Sequence, residues 1–562
     1  HFVTMTWWDD LWMEEGLKRF AAFNAHAHLS HSDDVWSFFS SHQKQKAYRF
    51  DRSPGTHSLV APVPSTESLK SRGDDLVVGK GTSLLRQLSF FMGRDRFRKA
   101  LRLYLKNRAY GSGDLDQFFV AMGKETQSDM NQWKERWFKT AMVNQVEVFF
   151  QCEKGKIESF ELFQTGSQEH PMLRTHKTQV ALFRKTRGVF KLNRKVDVVY
   201  QGGRTEVPEL KGKLCPHVVY PNFNDWDYVQ VQLDKKTLGN IESSLGTIQS
   251  SALRNLVWND LWQMLLDRRI DMDRYLEIVE FNALGETDLA VLGAVLGRVN
   301  HILRRFYPRQ NEAWEQKRQV WIRFFEQTYL TKFKEAIDQE KAIVFWFDHL
   351  VQVAESKELQ ELWLKLLSGK TVQDFPQSLG LDQEKRWELV ARLTSLGHPQ
   401  AETQRLREEK RDPSKRGQLR SLYAQALVPK IDMKKKWLGQ LVRNAEKESL
   451  LYNKTIIEGL IPESQSVFFK DLSTQYFQSI RQLSNQGFSS LAYQFAKELG
   501  PRDCEPSSSH LLNQFISAEK GLSRSLNGLL QELLYENQRC EKMRRRMVSK
   551  KTALVDGVQE SL

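Results

Sequence analysis

The chain has 562 residues, 40% of them hydrophobic and 27% charged, with a formal charge of +14. That length and balance predict a globular protein of several domains, and no apolar run approaches the roughly 18 residues of a membrane span. The basic excess is spread along the chain and accompanies no recognisable nucleic-acid module, so no nucleic-acid partner is expected. Four cysteines, Cys152, Cys215, Cys504 and Cys540, are too few and too scattered to predict a disulfide framework. None forms a Cys-x-x-Cys pair, so a cysteine zinc site is not expected either. A reducing, cytoplasmic compartment is the default that follows.

Residues 1–142 read as helical. Thr6 and Asp9 suggest an N-terminal capping box, followed by Trp7, Trp8, Leu11, Trp12, Gly16 and Phe20 at helical spacing. Leu84, Leu85, Leu88, Phe91, Phe97, Leu101 and Leu105 extend the helical pattern over 80–107, and helices are predicted from Leu115 to Gly123 and from Met130 to Thr140. Pro54-Gly55 and Pro62 to Pro64 mark loops. The texture changes at about 143. Val146 to Phe150 alternates with period two, and strands are predicted at Ile157–Phe163, Val180–Phe183, Val189–Leu192, Val196–Tyr200, Val218–Tyr220 and Tyr228–Leu233. Arg187-Gly188 and Gly202-Gly203 supply turns. Short strands at this spacing predict a small β-sandwich over 143–235.

From 236 to 562 the pattern is helical again, with stripes over 253–265, 288–307, 312–337, 342–368, 383–396, 415–427, 433–460 and 509–547, and a loop over 500–509. The fold class is mostly α with a small β domain, and the last region is a large, α-solenoid-like helical domain without a fixed repeat.

The segment Phe2-Val3-Thr4-Met5-Thr6-Trp7-Trp8-Asp9-Asp10-Leu11-Trp12-Met13-Glu14-Glu15-Gly16 resembles the helix after the zinc motif in the aminopeptidase N family of gluzincin metallopeptidases. The resemblance continues in Tyr48-Arg49 with His57-Ser58-Leu59-Val60, in Val78-Gly79-Lys80-Gly81-Thr82-Ser83-Leu84-Leu85, in Arg204 to Leu210 and in Pro221-Asn222. It is dense over the first 20 residues and architectural beyond 300. It implies that 1–142 are the C-terminal part of a thermolysin-like catalytic α-domain, and that the function is removal of N-terminal residues from peptides. The family holds one zinc ion with two histidines and a glutamate, and a glutamate of the His-Glu-x-x-His motif acts as general base.

By that resemblance Glu15 is the third zinc ligand. The chain is then a fragment that starts just after His-Glu-x-x-His and lacks the Gly-x-Met-Glu-Asn loop. No catalytic residue is expected in it, and zinc is not expected to bind this chain alone. The family's tyrosine that stabilises the oxyanion is replaced by Val78, which has no donor; such a loss costs about 100- to 1000-fold in rate. Tyr48 matches a different family position. The implied partners are peptides with a free N-terminus, and the chain itself is expected to have no membrane span and to be a monomer. The alternative is a catalytically inactive relative kept as a peptide-binding or scaffold protein.

The remaining motifs have plain readings. His26, His28, His31, His42 and His57 are expected on the surface or in loops rather than on a metal. Gly79 to Ser83 does not satisfy the phosphate-loop spacing and reads as a helix start with small residues for close packing. Trp258, Trp262, Trp314, Trp321, Trp346 and Trp363 are expected in the core. Lys434 to Lys436, and the cluster Lys542, Arg544, Arg545, Arg546, Lys550 and Lys551, are expected to be solvated.

Overall fold

The computed structural model describes residues 2–32, 34–63, 75–127, 129–167, 169–309, 311–370 and 380–559. The predicted loop residue Pro64, and His1, lie outside the described residues. The chain forms two compact units, His1–Val295 and Leu296–Leu562.

In the first unit a short strand, β1 (Thr4–Met5), pairs in parallel with β2 (Ser112–Gly113). Thr6 continues that extended run, its N–H donating to the Gly113 carbonyl at 3.0 Å. The predicted capping box is therefore not formed. The paired aspartates tie distant segments instead: Asp9 Oδ1 accepts from the Val63 N–H at 2.6 Å. Asp10 accepts from the Leu115 N–H at 3.1 Å and from Trp12 Nε1 at 3.3 Å. The helices are α1 (Leu11–Ser30), α2 (Asp34–Phe39), α3 (Gln45–Asp51), α4 (Asp75–Met92), α5 (Arg94–Arg108), α6 (Leu115–Thr126) and α7 (Asn131–Phe138). Trp12, Leu84, Leu85, Leu88, Phe118 and Phe138 are fully buried in one core among them.

Helices α1 and α4 cross closely because glycines face one another. A Cβ on Gly16 would lie 3.0 Å from the Gly81 carbonyl carbon, and one on Gly79 would lie 2.6 Å from both the Ala47 Cβ and the Gln43 carbonyl oxygen. The small residues of 79–83 thus serve packing as expected, but inside α4, which starts at Asp75, and not at a helix start.

The β-sandwich pairs β3 (Gln145–Glu153), β4 (Lys156–Thr165), β5 (His176–Thr186), β6 (Val189–Tyr200), β7 (Arg204–Glu206), β8 (Val218–Tyr220) and β9 (Gln230–Gln232) into two sheets. Their orders are β7-β4-β3-β9 and β6-β5-β8. The two strands predicted within 189–200 are one continuous strand. Cys152 is bonded to Cys215, which corrects the expectation of unpaired thiols. The β-hairpin pairing brings Cys152 of β3 to the loop after β7, a proximity that linear spacing conceals. Helices α8 (Lys235–Ile241), α9 (Ser251–Leu266), α10 (Met272–Asn282) and α11 (Leu289–His301) follow, the unit boundary falling inside the last.

The second unit continues with α12 (Glu312–Glu335), α13 (Glu340–Val353), α14 (Lys357–Leu367), α15 (Gln383–Ser395), α16 (Ala401–Arg411) and α17 (Lys415–Ala426). After these come α18 (Ile431–Arg443), α19 (Leu450–Leu460), α20 (Phe469–Asn485), α21 (Ser489–Leu499), α22 (Pro506–Ala518) and α23 (Arg524–Gln559). Helices α13, α15, α17, α19, α21 and α23 each pack on the next, while α18, α20 and α22 run alongside as a second layer. This is the stacking of an α-solenoid.

Three predicted long stripes are each two helices. Ser356 and Ser449 cap new helices by accepting from the Leu359 and Tyr452 N–H groups, and Pro506 opens α22 at a position where its missing N–H costs nothing. The loop predicted over 500–509 therefore ends at 505. Cys504 is bonded to Cys540, a second correction.

In the two basic clusters Lys435, Lys436, Lys542 and Arg545 are exposed as expected, and one residue of each departs from expectation. Lys434 is fully buried and donates to the Ala426 carbonyl at 2.7 Å. Arg544 donates to the carbonyls of Arg305 at 2.7 Å, Phe306 at 3.0 Å and Asp503 at 2.6 Å. Each cation satisfies carbonyls left open at a helix or loop end. The side chains of Arg546, Lys550 and Lys551 lie outside the described residues. Of the six tryptophans, Trp258, Trp346 and Trp363 are buried and the other three half-buried.

Candidate functional site

Glu15 sits in the second turn of α1. Its neighbours Trp12, Met13 and Gly16 are the buried face, so the helical period leaves Glu15 on the flank, its side chain 27% exposed. Both carboxylate oxygens are engaged: Oε1 accepts from Lys18 Nζ at 2.7 Å, and Oε2 lies 3.3 Å from Arg19. Glu14 shares Lys18 at 3.6 Å. Val78 is half-buried on α4, one residue before the Gly79 approach to Gln43. The α1–α4 crossing thus brings the helices that carry Glu15 and Val78 together at Gly16 and Gly81.

A catalytic zinc needs three protein donors with an open fourth position. Among the described residues no group of three His, Cys, Asp or Glu side chains is arranged to hold a metal. Glu15 is a lone carboxylate neutralised by two cations, so the described residues do not by themselves fit a zinc ion. The histidines do not change this. His26, His28 and His31 are exposed, His42 stacks on Phe38 with ring centroids 4.2 Å apart, and His57 Nδ1 lies 2.8 Å from the Ser58 carbonyl. Tyr48 is buried and donates to the Val229 carbonyl at 2.9 Å.

Behind the crossing lies a buried polar knot that motif reading passed over. Lys80 and Asp51 are both fully buried, 3.0 Å apart. Asp51 also accepts from the Met142 N–H at 2.9 Å, from Thr56 Oγ1 at 2.8 Å and from the Tyr228 hydroxyl at 3.2 Å. Burial pulls the Lys80 ammonium down to about 8, against the opposing pull of Asp51. Next to it Arg174 reaches the Ala141 carbonyl at 2.7 Å, Asn144 Oδ1 at 2.6 Å and Thr140 Oγ1 at 2.6 Å. The available signal was a lysine inside an otherwise apolar helical stripe, a position that requires a buried partner.

Residues 1–137 match the Peptidase family M1 domain, and residues 218–534 match the ERAP1-like C-terminal domain. The chain belongs to the M1 peptidase family. Aminopeptidase N of Streptomyces lividans is 27% identical over 514 residues, 89% of this chain and 58% of that protein. Tricorn protease-interacting factor F2 of Thermoplasma volcanium is 26% identical over 306 residues, 53% of this chain and 36% of that protein. Probable aminopeptidase 2 of Sulfurisphaera tokodaii is 32% identical over 135 residues, 24% of this chain and 17% of that protein. The chain therefore spans less than two thirds of the length of these M1 relatives. Among the described residues no helix is long and apolar enough to cross a membrane.

Proposed function

We propose that the protein to which this chain belongs is an aminopeptidase that releases N-terminal residues from peptides, and that Glu15 is the metal-directed carboxylate in this chain. The observation that carries the reading is the placement of Glu15. The buried Trp12, Met13 and Gly16 fix the rotation of α1, so the carboxylate is held on an accessible flank beside the α4 segment that the family uses for its oxyanion donor. Lys18 and Arg19 hold that carboxylate in place, and a metal would have to displace them from its oxygens. Zinc, when bound in the family, supplies Lewis-acid and water-activating chemistry. The division into 1–142, 143–235 and 236–562 is also our proposal, supported by the two sandwich sheets lying within 145–232.

The test is turnover of alanine 4-nitroanilide by the native protein, with and without a zinc chelator, alongside Glu15→Ala. Loss of turnover on chelation and of bound zinc in Glu15→Ala supports the reading; full turnover in either overturns it. A native protein that binds peptides but holds no zinc and shows no turnover supports the second reading, a non-catalytic peptide-binding relative. Val78, without a donor at the oxyanion position, is the observation in its favour.

A further inference from the structure

The polar faces of successive helices in one layer of the solenoid enclose a cleft of about 760 Å³ in the second unit. Beside Arg416, Arg420 and Glu458, two clusters of opposite charge line it. Asp348 of α13 and Glu388 of α15 form one; Arg392, one turn further along α15, and Arg304 form the other. The clusters follow the same direction on both helices, because Gln352 of α13 stands one turn beyond Asp348 and Arg392 one turn beyond Glu388. The separation along the helix axes is about 5 Å.

Each cluster keeps unfilled hydrogen-bonding capacity, although Arg304 donates to the Gln352 carbonyl. Arg392 is 8% exposed. Its Nε donates to the Ala354 carbonyl at 2.9 Å, but its Nη2 is buried without an acceptor. The nearest carboxylate, Glu355, lies 3.9 Å away and already accepts from Arg318 at 2.8 and 3.2 Å. Arg304 adds like charge, and burial with that repulsion pulls the Arg392 guanidinium down to about 9. Asp348 and Glu388 make no hydrogen bond or ion pair among the described residues. Burial, reinforced for Glu388 by the charge of Asp348, pushes both carboxyls up. The nearest cations, Lys385 and Arg420, make their direct ion pairs with Asp382 and Glu384 at 2.7 Å each and only partly offset that rise.

The geometry points to a binding site for a small zwitterion, its carboxylate on Arg392 and Arg304 and its ammonium between Asp348 and Glu388. The class is fixed by the spacing: an ω-amino acid of four or five carbons, or a dipeptide, separates its charges by about one helical turn, whereas an α-amino acid does not. A neutral or singly charged ligand would leave one of the two clusters without a counter-charge in the cleft. The inference does not rest on peptidase activity.

The experiment is titration calorimetry of the whole chain with 5-aminovalerate, which has no peptide bond to hydrolyse. Pentanoate and pentylamine serve as the two half-probes. Saturable binding of 5-aminovalerate is expected, with each half-probe about tenfold weaker or more, the worth of one charge-assisted contact. Arg392→Gln should weaken both 5-aminovalerate and pentanoate about tenfold. Glu388→Gln, at an exposed position that the fold does not depend on, should weaken 5-aminovalerate and leave pentanoate unchanged. No heat up to about 10 mM, equal binding of pentanoate, or indifference to Glu388→Gln would each overturn the site.

Discussion

Glu15 and Val78 differ in what the surrounding protein has done with them. Glu15 keeps its carboxylate on an accessible flank, while Val78 presents only methyl groups at the position proposed for an oxyanion donor. Val78→Tyr restores a donor on α4. If the proposed activity holds, the variant should turn over alanine 4-nitroanilide about 100-fold faster, with Val78→Phe unchanged; equal rates in the two variants would show that the hydroxyl is not used. The Lys80–Asp51 pair makes a separate prediction. Removing one partner strands a buried charge, so Asp51→Ala should destabilise the first unit by about 3–5 kcal/mol in urea unfolding, and Lys80→Met combined with it should recover part of that loss. The motif around Glu15 was readable from the sequence because its residue types are dense and short-range. The knot was not, since Asp51, Lys80, Met142 and Tyr228 meet only through tertiary structure.

At the level of helices and strands the period of the apolar residues carried most of the fold. Strands β3, β4 and β8, and helices α6, α7 and α9, stand within a few residues of their predicted places. The missed breaks share a cause: where Ser356, Ser449 and Ser523 start a new helix inside an apolar stripe, the hydrophobic pattern resumes across the break and hides it. Capping chemistry, not periodicity, decides there. The close approach of α4 to Gln43 and Ala47 can be tested by contrast. Gly79→Ala forces a Cβ to 2.6 Å from the Gln43 carbonyl oxygen and should cost about 1–3 kcal/mol or more. Gly239→Ala in α8 meets nothing within 4 Å and should gain up to about 1 kcal/mol. Lys434 supplies a pH prediction. Burial pulls it down to about 7, below its ordinary 10.5 in the unfolded chain. Below pH 7 both states are protonated and nothing changes. Between about 7 and 10.5 the unfolded state holds more protons, so stability rises with pH by at most about 1.4 kcal/mol per unit. Comparing urea midpoints of the wild type with Lys434→Met between pH 7.5 and 9.5 should show this slope only in the wild type.

Across the whole molecule the two disulfides lie one in each compact unit, closing sequence separations of 63 and 36 residues. Chain-entropy reasoning assigns each about 4 kcal/mol. A denatured, unreduced sample should therefore contain no free thiol by alkylation and mass spectrometry, and reduction should lower the melting temperature of both units; four alkylated cysteines would remove the pairing. The buried aspartate of the first unit also has a meaning in time. Its contact with Tyr228 spans 177 residues, and at roughly 5–20 residues per second of synthesis the hydroxyl emerges about 10–35 s after the carboxylate. Through that interval the N-terminal helices carry Asp51 and Lys80 without their full set of partners, a half-closed intermediate that chaperones or proteases can meet. The full set of contacts can form only after Tyr228 has been made, ahead of α8 to α10 of the same unit.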